Sequence, residues 1–180
     1  MGTTITEALA EIRTISKRVD KKRQGVMQYL ARDARVKDPL EKEGGSFEYV
    51  KKERQSILDL EKRVVAIRVA IAKSNLATSL SIGSQSMSVF EWLTWRREVS
   101  KYQQEFLGAL SSGIRGIRDK MQKEGKRVVA AEADADAQKG DAIVHLDEKA
   151  LLGDIENMEQ VLGELDGKLS LLNATTLVEF

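Results

Sequence analysis

Apolar residues recur every three or four positions along most of the chain, the period of one face of an α-helix. Four such segments can be distinguished. The first opens with Thr4 and Glu7 at the spacing of a capping box, the reciprocal arrangement that satisfies two orphan amides at a helix start. A heptad then runs through Ile5, Ala8, Ile12, Ile15, Val19, Lys22, Val26 and Tyr29, and only Lys22 breaks it. Asp38 precedes Pro39 and is pushed out of the α region, so this helix is expected to end near Val36, with a turn over 37–46. Over residues 5–36 it would be a rod of roughly 48 Å at 1.5 Å per residue. The second segment starts near Ser46 and repeats at Val50, Ile57, Val64 and Ile71, with Leu60 and Ile67 alongside. Its later half, Val64 to Ala72, is apolar on nearly every face and is expected to meet more than one neighbour.

A polar stretch, Ser81-Ile82-Gly83-Ser84-Gln85-Ser86, reads as a linker. The third helix begins at a second capping box, Ser88 with Glu91, and continues through Trp92, Leu93, Val99, Phe106, Leu107, Leu110, Ile114, Ile117 and Met121. After Gly125 the pattern fails, and residues 128–146 read as an acidic extended tip, either an alanine-rich helical extension or a loop. The fourth helix, from about Asp147 to Asn173, carries Leu151, Ile155, Met158, Leu162, Leu165, Leu169 and Leu172 on one seam. The end of the second helix, Asn75-Leu76-Ala77-Thr78-Ser79-Leu80, matches the end of the fourth, Asn173-Ala174-Thr175-Thr176-Leu177, with one residue inserted. The capped starts also match, Leu9 answering Leu93. The pattern therefore predicts an all-α protein of two long antiparallel helical hairpins, a four-helix coiled-coil-like bundle born of internal duplication. The first hairpin covers 3–80, the linker 81–87 and the second hairpin 88–177.

Composition narrows the chemistry. The 180 residues include no cysteine, one histidine and one proline, with 5% aromatic and 32% charged side chains. Disulfides, thiolate metal sites and thiol nucleophiles are excluded, and little acid–base chemistry is left. His145 has no nucleophile or oxyanion pattern beside it and reads as a surface or structural residue. The acidic run Asp134-x-Asp136 with Gly140 and Asp141 lacks the glycine and glutamate spacing of a calcium loop and reads as a solvated tip. No paired carboxylates, phosphate loop or triad stand on a common face, so the chain is read as a non-enzyme, without cofactor, metal or small-molecule substrate.

The net charge of +1 conceals a division. Residues 1–86 hold 17 basic and 11 acidic side chains, and residues 87–180 hold 12 and 17. Such asymmetry favours docking between unlike surfaces. The cluster Lys17, Arg18, Lys21, Lys22 and Arg23 wraps around its helix without interleaved aromatics, which argues against a nucleic-acid partner. Lys22 lies on the seam itself and is expected to meet an acid of the fourth helix such as Glu159 or Glu164. No apolar run reaches the roughly 18 residues of a membrane span, and no secretion signal stands at residues 1–4. The expectation is a protein made in the cytoplasm, not in the membrane.

Partner-binding residues are sought in two patterns. Trp92 fits the third helix's core seam, whereas Trp95 and Tyr102, seven apart, share another face suited to an interface anchor. Gly108, Ser112 and Gly116 recur on the third helix and Gly163 and Gly167 on the fourth, which suggests closely approaching backbones and hence a homo-oligomer or a larger assembly.

The signatures at Asn75 to Leu80, Ser88 to Arg97 and Asn173 to Leu177 resemble the septicolysin-like family, small helical proteins of bacteria and their phages. The resemblance implies a helical fold and supplies no catalytic residue. It suggests a structural component of a phage or prophage particle, the protein then being incorporated in a virion. The lysin name suggests membrane activity as an alternative, and the charged helices suggest an intracellular adaptor that binds one partner.

Overall fold

A computed structural model describes residues 2–131 and 137–180 of the chain, which is mainly α-helical. In order come strand β1 (Thr3–Thr4), helix α1 (Ile5–Gln28), a 3-10 turn (Glu41–Glu43), α2 (Ser46–Ala77), β2 (Ser79–Ile82), β3 (Gln85–Ser88), α3 (Val89–Trp95), a π-helical turn (Arg96–Ser100), α4 (Lys101–Lys123), β4 (Val128–Ala130), β5 (Ala142–Val144), α5 (Glu148–Thr175) and β6 (Leu177–Val178). The contacts divide into two units, Met1–Thr78 with Leu169–Phe180, and Ser79–Lys168.

In the first unit α1 and α2 run antiparallel, and the predicted seam is the core. Ile5, Ala8, Ile12, Ile15 and Val19 are buried with Ile67 and Ile71, and Ile57, Leu60 and Val64 pack at the margin. Ion pairs join the two helices: Glu11 with Arg63 and Lys22 with Glu53 (2.8 Å) at matching levels, and Arg23 reaching diagonally to Glu61. Lys22 thus meets an acid of α2, where an acid of the fourth helix was expected, and Glu164 pairs with Lys168 one turn on. Helix α1 ends eight residues before Val36. Its C-cap is Tyr29, whose amide donates to the Gly25 carbonyl, and farther on the Asp33 carboxylate accepts from the Arg35 amide and its carbonyl from the Val36 amide, a turn within the stretch expected to be helical. Asp38 then caps α2, accepting from the Ser46 amide at 2.9 Å and its hydroxyl at 2.6 Å. Those donors hold its carboxyl below the usual range.

Both capping boxes form. The Thr4 hydroxyl accepts from the Glu7 amide while the Glu7 carboxylate accepts from the Thr4 amide, and Ser88 and Glu91 repeat the arrangement. Each capped residue closes a strand. Thr4 pairs with Leu177 of β6, and Ser88 pairs with Ser79 of β2. The helix ends that feed these strands match in detail, since Thr78 donates to the Ser74 carbonyl and Thr176 to the Leu172 carbonyl. Asn75 to Leu80 therefore superposes on Asn173 to Val178 with no inserted residue, and the buried Leu80 answers the buried Val178.

The expected linker over 81–87 is instead part of a hairpin. Ser79, Leu80, Ser81 and Ile82 alternate exposed and buried, and the two-residue loop Gly83-Ser84 turns the chain with Gly83 at φ +55°. Beneath it Trp92 is buried and donates its indole N–H to the Leu80 carbonyl at 2.8 Å. Residues 128–146, expected as helix or loop, carry β4 and β5, paired in parallel from Val128 opposite Ala142 to Ala130 opposite Val144. Val144 packs there with Ile114 and Leu151. Asp134 and Asp136 lie outside the described residues. Asp141 accepts from the Gln138 and Arg127 amides and from the Arg127 guanidinium, so its oxygens serve the loop's own donors. His145 is exposed just after β5.

Candidate functional site

The π-helical turn governs the surface of the second unit. A π turn holds one residue more than an α turn, and the inward positions accordingly step by eight from Trp92 to Ser100, then by seven through Leu107, Ile114 and Met121. The expected seam through Val99 and Phe106 is rotated outward; Phe106 is 64% exposed. The Ser100 hydroxyl donates to the Arg96 carbonyl at 2.8 Å and fills the inward position with a small side chain.

A groove of about 470 Å³ lies between α3–α4 and the first part of α5. Its apolar wall is Trp92, Trp95, Phe106, Leu107, Met158 and Val161, and its polar residues are Gln103, Asp154, Asn157 and the Gly83-Ser84-Gln85 segment of the hairpin. Trp95 is half-buried and meets Trp92 edge-to-face, centroids 5.6 Å apart. Below Leu107 and Met158 a smaller hollow of about 120 Å³ is lined by Gln104, Gly108, Ile155 and Glu159. The Arg96–Asp166 and Arg118–Glu148 ion pairs tie the helices above and below.

The interface residues expected from sequence are dispersed by this geometry. Trp95 lines the groove, but Tyr102 is 68% exposed and does not share its face, because the π turn lies between them and breaks the seven-residue spacing. Gly108 borders the smaller hollow, while Ser112, Gly116, Gly163 and Gly167 are exposed. No described atom lies within 4 Å of the Cβ position at any of the four glycines, so no backbone of the same chain approaches these stripes. The closely approached glycine is Gly25: a Cβ there would stand 2.5 Å from the Tyr49 hydroxyl. Tyr49 also meets Tyr29 edge-to-face at 5.2 Å. Of the basic cluster, Lys22 and Arg23 are engaged with acids of α2.

No family model, curated protein or solved structure matches this chain. Function must be argued from the geometry.

The surface that sequence reasoning nearly identified is on α2. Leu58, Val65, Val69 and Leu76 are 52, 62, 46 and 57% exposed, and Lys62 and Ala72 complete their four-three spacing. This second row stands beside the buried row of Ile57, Leu60, Val64, Ile67 and Ile71. The apolar composition of Val64 to Ala72 signalled it. Which residues face the unit's own core becomes apparent only once α1 is in place. Among the described residues no helix is long and apolar enough to cross a membrane.

Proposed function

We propose that this protein is a non-enzymatic structural protein that assembles with copies of itself, built as two antiparallel helical hairpins that descend from one duplicated hairpin. The carrying observation is the exposed row on α2, large aliphatic side chains at heptad spacing left uncovered by the rest of their own unit. Contiguous apolar surface of this kind marks an interaction site, and four-three spacing is the form that another helix covers. The matched caps and strand ends of the two units support the duplication. The resemblance to septicolysin-like proteins supports a particle component of a phage or prophage as the kind of assembly. Native mass by light scattering at micromolar concentration tests the reading. A discrete multiple of the 20.1 kDa chain is expected. A single chain at every concentration overturns it.

A further inference from the structure

We infer that the exposed row of α2 pairs with the same row of a second copy, antiparallel, about a two-fold axis near residue 67. This rests on the assembly reading and goes beyond it in naming the surface, the partner and the direction. The row Leu58, Lys62, Val65, Val69, Ala72 and Leu76 is its own mirror image about residue 67. In an antiparallel pair Leu58 then lies opposite Leu76, Val65 opposite Val69, and Lys62 opposite Ala72 of the second copy. Like meets like at the ends, leucine with leucine, and in the middle, valine with valine. Ala72, the smallest residue of the row, leaves room for the Lys62 stem, whose ammonium reaches solvent past it.

One flank also brings opposite charges together in this direction. Asp59 comes opposite Lys73 of the second copy, twice by symmetry, while on the other flank Arg68 approaches its own copy near the axis, where both guanidinium groups reach solvent. Opposite charges beside a helical seam set partner orientation. The row is bounded as well. One heptad before Leu58 and Lys62 the same positions hold Lys51 and Gln55, and α2 stops at Ala77, one residue beyond Leu76. The overlap is therefore confined to residues 58–76, about 28 Å of helix, and an isologous pair closes on itself with no further valence on this face.

Single cysteines test this in the full chain, which has none of its own. Leu58→Cys and Leu76→Cys are mixed, and a short bis-maleimide is added. The inference expects the mixed pair to crosslink and Leu76→Cys alone to remain uncrosslinked, while Ala66→Cys, exposed beside the axis, crosslinks with itself. Crosslinking of Leu76→Cys alone would show a parallel pair and overturn the inference. Val65→Lys is expected to lose the α2 contact and lower the native mass with unchanged helix content by circular dichroism, since Val65 faces solvent in the single chain. An assembly whose mass survives Val65→Lys, with none of these crosslinks, refutes the α2 surface and leaves self-assembly standing. A wild-type protein that is a single chain refutes both.

Discussion

The two units start and finish alike and differ in between. Each has a helix opened by a Thr or Ser capping box, and each capped residue pairs with a strand that leaves another helix through a threonine. In the first unit the seam from Ile5 to Val19 is continuous and buried, and a hollow opens only beyond it, beside Lys22, Gly25, Tyr29 and Tyr49. In the second, one additional residue in a π turn swings Val99 and Phe106 outward and places Ser100 inside, and a groove lies beside the turn, with Trp95 and Phe106 in its wall. Matched ends with unlike middles show what each part is for. The caps and strands fix where helices begin and end, and the register of the seam decides whether the surface between them is closed or open.

The sharpest way to break the comparison is to change register by one residue in each unit. Removing Lys17 from α1 would rotate Ile5, Ala8, Ile12 and Ile15 by about 100° relative to Val19, and no continuous face would remain for α2. The cooperative unfolding of the first unit is expected to disappear. Removing Glu98 from the π turn brings Ser100 to seven positions after Trp92, which a plain α-helix satisfies. That variant is expected to stay folded, with the groove residues in place. Thermal unfolding followed by circular dichroism distinguishes the two, and equal damage from both deletions would refute the role given to the π turn.

Point substitutions should follow the same division. Ile67→Ala, at a fully buried site of the first unit, is expected to cost about 2–5 kcal/mol, the range for emptying a packed core position. Val99→Ala and Phe106→Ala, which an unbroken heptad would place in the core, should change stability by no more than about 0.5 kcal/mol because both face solvent. Urea denaturation measures the difference. A core-sized loss at Val99 would mean that the heptad runs straight through and that the outward rotation is wrong.

These contrasts also show what the amino-acid pattern could convey. The α1 seam was legible because one uninterrupted period of three and four runs from Ile5 to Val19. The π turn was not, because counting by sevens presumes an α-helix throughout, and Val99 and Phe106 fit that count as well as Ser100 and Leu107 fit the other. Pro39 is a conspicuous stop, whereas α1 ends at Gln28 with neither glycine nor proline directly after it, and the chain turns at Asp33 instead. The β2–β3 hairpin did leave a signal, Gly-Ser between Ser-Leu-Ser-Ile and Gln-Ser-Met-Ser, that polarity disguised as a linker. Of the groove, Trp95 was legible as an interface aromatic. Gln103, Asp154 and Asn157 were not, since polar residues on a helix read as solvated until a neighbour encloses them.

The glycines provide a smaller test. Gly116 and Gly163 have open space at their Cβ positions, so alanine should stabilise the helix by about 0.5–1 kcal/mol at each. Gly25→Ala meets the Tyr49 hydroxyl and should forfeit that gain, recovering it when Tyr49→Phe removes the hydroxyl. Melting of the single and double variants checks the coupling. If Gly116→Ala or Gly163→Ala instead lowers the native mass, a second copy's backbone occupies the stripe, and the interface extends beyond α2.

The smallest effect compares the two caps through pH. Glu7 accepts from the Thr4 amide and hydroxyl, and Glu91 accepts from the same groups of Ser88, and in both cases these donors hold the carboxyl below the usual glutamate range. A carboxyl whose folded value is depressed contributes stability above its unfolded value, about 4.3 for glutamate, and loses it as pH falls through the folded value. Melting temperature should therefore decline as pH drops below about 4.3. Glu7→Gln and Glu91→Gln should each start lower at neutral pH and show a shallower decline, because the amide still accepts a hydrogen bond but no longer titrates. Since the two boxes are alike while the seams they open are not, the two slopes should diminish equally. If only Glu7→Gln flattens the decline, the closed seam of the first unit governs acid stability, and the likeness of the two helix starts is one of geometry without equal energetic weight.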